Sequence, residues 1–110
     1  MRLVGGKDKS QGRVEMYHAG KWGTVCKHNW DSNDAQVVCR SLGFISGDSV
    51  TSVSNFEIGS GEIWFDNVAC DGTERRLQDC SHSGLGLHNC SHHEDAGVMC
   101  SGKFFYHVIS

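Results

Sequence analysis

Alternating apolar and charged residues near the N-terminus predict a β-hairpin. The alternation runs through Arg13–Tyr17, and a second short run, Lys21–Val25, follows the turn signal His18-Ala19-Gly20. A period of two places every second side chain on the same face of a strand, and a glycine-containing turn between two such runs favours a hairpin. We therefore expect one face of this hairpin to be buried.

The apolar spacing changes to that of a helix between residues 32 and 42. The apolar residues at helical spacing are Ala35, Val38, Cys39 and Leu42. Asp31 or Ser32 can cap the start of this helix, and Gly43 can close its end. This helix should turn Cys39 inward, where a buried bridge can form.

The second half of the chain is less regular. A Ser/Gly-rich stretch covers Ser46–Ser54, and Glu62–Val68 has the composition of a strand. Thr73–Cys80 is compatible with one short helix that turns Leu77 inward, and residues 84–88 read as a loop. Gly97–Cys100 is predicted to be a closing strand.

The last residues form an apolar tail over Phe104–Ile109. This tail is compatible with a final strand, a partner contact or the start of a further segment. We accordingly divide the chain into a domain at 1–101 and a tail at 102–110.

Cysteine content sets the class of protein. The chain has 110 residues and six cysteines, at positions 26, 39, 70, 80, 90 and 100, with 14 glycines and no proline. An even number of cysteines in a short chain indicates a disulfide framework and an oxidising compartment outside the cell. Zinc is the alternative, but no two cysteines form the close pair that structural zinc sites use.

The net charge and the absence of catalytic motifs restrict the classes of function that this chain can have. The formal net charge is −3 and 38% of residues are hydrophobic, so no global basic field favours nucleic acid or anionic membranes. No apolar run approaches the ~18 residues of a membrane span. The sequence has no nucleophile elbow, zinc-protease helix motif or phosphate-binding glycine loop, and we expect no enzymatic activity.

Six ordered motifs identify a family. The chain contains RLVGG from residue 2, GRVE from 12, WGTVC from 22, DAQVVCR from 34, LGF from 42 and EDAGVMC from 94. Together they resemble the scavenger receptor cysteine-rich (SRCR) domain from about Arg2 to Cys100. A non-cysteine residue, Phe44, follows Leu-Gly, as in the six-cysteine group A of that family.

The resemblance implies a fold, which cysteine count alone does not, because six cysteines allow fifteen pairings. It implies a small disulfide-rich α+β domain, with a curved antiparallel sheet cradling one main helix and long loops beyond. The implied bridges are Cys26–Cys90, Cys39–Cys100 and Cys70–Cys80.

The resemblance also implies a first cation site, from which this chain departs. Family members bind calcium through two acidic residues after the cysteine at position 26, together with the Glu of the closing Glu-Asp-Ala-Gly motif. Lys27 and His28 stand in the two acidic places here, beside the retained Glu94. We therefore expect Glu94 to form a partly exposed ion pair with Lys27 and to bind no metal.

A second oxygen cluster is better preserved. Asp66 and Asn67 correspond to a family acidic pair, and Asn89 precedes the cysteine expected to bridge to Cys26. One carboxylate and two amide oxygens make a weak calcium site unless other oxygens complete it. The alternative is that these side chains satisfy loop backbone groups.

Basic residues suggest the ligand. Lys27, with His28 beside it, and Arg75 and Arg76 can form a patch for polyanions, although scattered surface cations are common. The resemblance implies a non-catalytic extracellular or ectodomain module that binds a protein or polyanionic ligand, with possible calcium assistance and no specific nucleic-acid readout. Such modules act in arrays or oligomers. The alternative is an accessory domain that positions a secreted protease or oxidase on its substrate.

Overall fold

The computed structural model describes residues 1–51 and 56–102, which form one six-stranded sheet and one helix. The strands are β1 (Arg2–Gly5), β2 (Gln11–His18), β3 (Lys21–Val25), β4 (Ser46–Val50), β5 (Glu62–Phe65) and β6 (Gly97–Ser101). The helix α1 covers Ser32–Ser41, and two short 3₁₀ turns cover Leu77–Asp79 and His92–Glu94. The predicted tail at 104–109 lies outside the described residues. None of the described helices is long and apolar enough to cross a membrane.

The sheet is mostly antiparallel, as expected. Its strand order is β4-β6-β2-β3-β5, with β1 paired to β2 beside this path. One pair departs from the expectation, because β3 and β5 run parallel. A parallel pair needs a long crossover connection. Here that connection contains α1 and β4. The helix therefore falls, in chain order, between β3 and β5, which are neighbours in the sheet.

The predicted hairpin is confirmed as β2 and β3. His18 pairs with Lys21, which leaves a two-residue turn at Ala19 and Gly20 with φ of 51° and 81°. Positive φ at both central residues is the type I′ geometry whose twist matches the flanking strands. Val14 and Met16 are buried on the core side of β2.

The predicted helix and both its caps are also confirmed. The Asp31 carboxylate accepts hydrogen bonds from the Asn33 and Asp34 amides, and the Asp34 side chain accepts one in return from the Asp31 amide. At the other end Gly43 has φ of 95° and its N–H donates to the Arg40 carbonyl, while the Phe44 N–H donates to the Cys39 carbonyl. This pair of bonds is the Schellman motif, which explains why the helix stops before glycine.

The strand β4 occupies the Ser/Gly-rich stretch, where the local sequence predicted no strand. It pairs with β6 over its whole length, from Ser46 with Ser101 to Val50 with Gly97. A Cβ atom at Gly47 would lie 2.1 Å from the Cys39 sulfur. The absence of a side chain therefore lets this strand pass the bridge, and β6 supplies the pairing that local propensity does not.

The helix predicted over Thr73–Cys80 is wrong except for its inward residue. Only the 3₁₀ turn Leu77–Asp79 forms, although Leu77 is fully buried. The Glu74 carboxylate accepts hydrogen bonds from the Asp71 and Gly72 amides, and the Asp71 carboxylate accepts one from the Thr73 amide. Such side-chain bonds to nearby backbone favour turns over helix. The strand predicted over 62–68 also ends early, at Phe65, and Asn67 then turns with φ of 53°.

Three disulfides and one buried core hold these elements together. The bridges are Cys26–Cys90, Cys39–Cys100 and Cys70–Cys80, as the resemblance implied, and no cysteine is free. The helix α1 packs against β4 and β6. The buried core includes Val14, Val25, Trp30, Val38, Leu77 and Val98. The Trp30 indole N–H donates to the Gly97 carbonyl at 2.9 Å, so the one polar atom of that ring is satisfied inside the core.

Candidate functional site

Three loops meet at the Cys26–Cys90 bridge, directly after the end of β3. The Cys26 N–H donates to the Phe65 carbonyl at 2.8 Å, and the Lys27 N–H donates to the Glu94 carbonyl at 2.7 Å. The turn after β3 is thereby held by backbone bonds to the last residue of β5 and to the segment before β6. We call residues 27–29, 66–67 and 89–94 the three-loop cluster.

His28 is the centre of this cluster. Its Nδ1 lies 3.2 Å from Asp66 Oδ1, and its Nε2 lies 2.8 Å from Glu94 Oε2. The Asp66 side chain is 5% exposed, whereas those of His28 and Glu94 are 40% and 30% exposed. One imidazole ring therefore joins a buried carboxylate on one loop to a half-buried carboxylate on another.

The predicted pairing of Glu94 with Lys27 is wrong. Among the described residues the Glu94 carboxylate forms its ion pair with His28, and Lys27 contributes only its backbone N–H to Glu94. The reason is geometric. The Lys27 N–H bonds to the Glu94 carbonyl, and the next side chain, that of His28, then lies between the carboxylates of Asp66 and Glu94. The cation beside Glu94 is thus a titratable one.

The surroundings of His28 favour its charged form. The hydrogen bond to Glu94, and beyond it the charge of Asp66, raise the pKa of His28 above its ordinary value of 6.5. Both ring nitrogens face carboxylate oxygens, and only the imidazolium can donate from both. The pKa of Glu94 is lowered, first by the hydrogen bond from the Ser91 amide and then by His28.

The second predicted oxygen cluster is largely engaged in local hydrogen bonds. Asp66 Oδ1 accepts from the Asn67 amide at 2.8 Å in addition to its contact with His28. The Asn67 side-chain oxygen accepts from Asn29 at 2.9 Å, and its amide nitrogen donates to Ser83 at 2.9 Å. Asn89 is exposed on the loop before Cys90. Asp66 therefore satisfies a loop backbone amide, as the alternative expects, whereas the Asn67 side chain bonds to two other side chains. Calcium binding by this cluster stays a prediction.

Arg75 and Arg76 lie apart from this cluster, on the loop closed by Cys70–Cys80. Both are exposed, because the burial of Leu77 beside them turns the preceding residues outward. Arg76 pairs with Asp79 at 3.0 Å, whereas Arg75 forms no ion pair among the described residues. The two arginines therefore present unequal net charge to a ligand.

A second histidine of the three-loop cluster, His92, contacts a buried carboxylate. Its Nδ1 lies 3.0 Å from Asp95 Oδ1, and its Nε2 lies 2.8 Å from the Gly61 carbonyl. Asp95 Oδ2 in turn accepts from the Gly59 amide at 3.1 Å. The pair fastens the segment before β5 onto the sheet. The available signal was the i, i+3 spacing of His92 and Asp95 beside the family motif.

Thr24, His92 and Asp95 superficially resemble a hydrolase triad, but their geometry does not suit catalysis. The Thr24 hydroxyl lies 3.3 Å from the same nitrogen, Nδ1, that contacts Asp95. A triad needs the nucleophile and the acid on opposite ring nitrogens. Thr24 is also fully buried, so its hydroxyl is closed to a substrate.

Comparison with known proteins places the whole domain in one group. The family model described as the scavenger receptor cysteine-rich domain matches residues 4–101. A Patiria pectinifera protein described as belonging to the scavenger receptor cysteine-rich domain superfamily is 50% identical over 103 residues, which cover 94% of this chain and 9% of that protein. Macrophage receptor MARCO of Mus musculus is 50% identical over 101 residues, or 92% of this chain and 18% of the receptor. The chain thus spans less than a fifth of either relative.

Two solved structures share the fold. The dimeric form of the SRCR domain of mouse MARCO has a TM-score of 0.78 at 50% identity and covers 92% of this chain and 94% of that one. The third SRCR domain of murine neurotrypsin has a TM-score of 0.82 at 46% identity, with 90% and 92% covered.

Proposed function

Because this chain belongs to the scavenger receptor cysteine-rich family, we propose that it is a non-catalytic extracellular module that binds a protein or polyanionic ligand through its loops. The observation that carries the proposal is the three-loop cluster, in which a disulfide and backbone hydrogen bonds hold exposed polar residues in place. Loops fixed on a rigid scaffold are where binding residues concentrate. Three disulfides also suit an oxidising, extracellular compartment.

Arg75 supports a polyanion as one ligand class. It is exposed and is in no ion pair among the residues the structure describes, so its guanidinium is available for a sulfate or phosphate group. Arg76 contributes less, because Asp79 already neutralises much of its charge. Lys27 offers a further cation on the three-loop cluster.

The proposed function does not include a calcium site at Glu94. The Glu94 and Asp66 carboxylates both contact His28, whose ring occupies the space between them. The Asn67 oxygen is likewise engaged by Asn29. Calcium takes six to eight oxygen ligands, and the present donor set does not fit that requirement without displacing His28.

Multivalency would complement a weak single site. The solved SRCR domain of mouse MARCO is a dimeric form, and we propose that this domain also assembles with further copies. Linking copies raises avidity through effective concentration without new contacts.

The test is heparin binding of the full chain and of arginine variants. We expect the double variant Arg75→Ala, Arg76→Ala to elute from heparin at lower salt, with a flatter dependence on ionic strength. Arg75→Ala should account for most of the loss. Lys21→Ala is the control, because that exposed lysine lies at the hairpin turn and faces Glu62. Identical elution of the parent and the double variant would reject the arginines as ligand residues and favour the accessory-domain alternative.

A further inference from the structure

An open apolar groove lies between β1 and the end of α1, away from the three-loop cluster. It has a volume of about 850 Å³. Its apolar lining comes from Met1, Leu3, Leu42 and Phe44, and Lys9 and Ser10 form part of its rim. Each of these four apolar side chains packs against the core on one side and is only partly buried. The groove is therefore an extension of the core that lacks a cover among the described residues.

The described chain ends beside this groove. The Cys100 N–H donates to the carbonyl of Ser10, on the rim, at 2.7 Å. The Ile45 N–H, one residue beyond Phe44, donates to the Ser101 carbonyl at 3.2 Å. A Cβ atom at Gly102 would lie 3.0 Å from the Ile45 side chain. The end of β6 thus lies beside Ser10 on the groove's rim and beside Ile45, the chain neighbour of the lining residue Phe44.

The sequence beyond this point is apolar and carries no acidic residue. Residues 103–110 read KFFYHVIS and lie outside the described residues. Eight residues reach at most ~26 Å when extended, at about 3.3 Å each, which is ample for a groove whose rim is bonded to Cys100. Burying phenylalanine and isoleucine side chains against apolar surface removes both surfaces from water and is favourable.

We propose that residues 103–110 of this same chain dock in the groove formed by Met1, Leu3, Leu42 and Phe44. Two alternatives are the tail of a second copy and a separate apolar ligand. The tethered tail has the advantage of effective concentration, which is about millimolar for a short connection. Even a segment with a dissociation constant of only about 0.1 mM would then fill the groove about 90% of the time.

The test uses the full chain with labelled leucine methyl groups and a soluble gadolinium chelate, whose relaxation effect reports solvent exposure. Phe105→Asp with Val108→Asp should expel the tail and raise the relaxation of the Leu3 and Leu42 methyl groups by up to about tenfold. The control Leu85→Asp makes the same kind of change at an exposed leucine outside the groove. It should leave the relaxation of the Leu3 and Leu42 methyl groups unchanged.

Three results would decide the outcome. A rise confined to the tail variant, and independent of protein concentration, supports the proposal. Equal relaxation in the parent and the tail variant would overturn it, since the groove would then be uncovered or filled by something else. Protection that grows with protein concentration would overturn it in favour of a second copy. Unchanged methyl shifts of the fully buried Leu77 verify that each variant remains folded.

Discussion

Asp34 is predicted to make the stability of this domain depend on pH. Its side chain is fully buried at the start of α1. Oδ1 accepts a hydrogen bond from the Cys70 amide at 2.8 Å, and Oδ2 accepts one from the Asp31 amide at 2.8 Å. The carboxyl group therefore connects the helix to the bridged loop that carries Arg75 and Arg76, and its protonation state bears on the proposed ligand surface.

The magnitude follows from the burial of this group. Burial raises the pKa of Asp34 from 3.8 to about 6, against the opposing effect of the two backbone hydrogen bonds. A folded-state pKa above the unfolded value means that folding takes up a proton, so the contribution is present below pH ~4 and is lost as pH rises through about 6. A difference of about two units corresponds to about 3 kcal/mol in the free energy of unfolding.

The assay is urea denaturation of the oxidised chain at several pH values between 4 and 7, for the parent and for Asp34→Asn. The asparagine keeps the shape of the side chain but does not titrate. We expect the stability of the parent relative to the variant to fall by about 2.5 kcal/mol across this range, because part of the effect has already been lost at pH 4. Asp48→Asn is the control, because Asp48 is exposed on β4.

Parallel curves for the parent and Asp34→Asn would refute this reasoning. They would mean that Asp34 is ionised in the folded state throughout the range, and that the two amide donors and the helix N-terminus outweigh desolvation. A comparable slope in the Asp48→Asn comparison would show that the effect is not specific to the buried carboxyl.

Two further predictions concern the three-loop cluster. Glu94 is the main cause of the raised pKa of His28, so Glu94→Gln should move the NMR titration of the His28 ring to lower pH, whereas Lys27→Ala should not. The stabilising contribution of His28 should be fully present below pH 6.5 and lost as pH rises through its higher folded value; an unmoved titration in Glu94→Gln would contradict this. Lys27→Asp with His28→Asp should create a calcium site with Glu94, because the imidazole ring and the lysine charge are replaced by carboxylate oxygens. Calorimetry should then show calcium binding that the parent lacks; parent binding abolished by Glu94→Ala would contradict it.

Local sequence patterns were sufficient for the hairpin and the helix. The alternation over Arg13–Tyr17 and the apolar spacing over Ser32–Leu42 predicted these two elements, and the caps at Asp31 and Gly43 act within a few residues. The expectation of one buried face was wrong for β2, because Arg13 and Glu15 on its other face are buried too. The sequence motifs also led to the family and to its three bridges, which the structure confirms. The hairpin and the helix depend on neighbours in the chain, whereas the bridges join residues up to 64 positions apart and were implied by the family resemblance.

The tertiary structure alone decided what depends on distant partners. β4 is a strand because β6 pairs with it and because Gly47 clears the Cys39–Cys100 bridge, although its own residues favour a loop. Likewise, no local pattern indicates that His28 rather than Lys27 meets Glu94. That choice follows from the backbone bond between residues 27 and 94, sixty-seven positions apart, which sets the direction of each side chain. A one-residue change in such a register reverses the side chains, and only the folded chain sets the register.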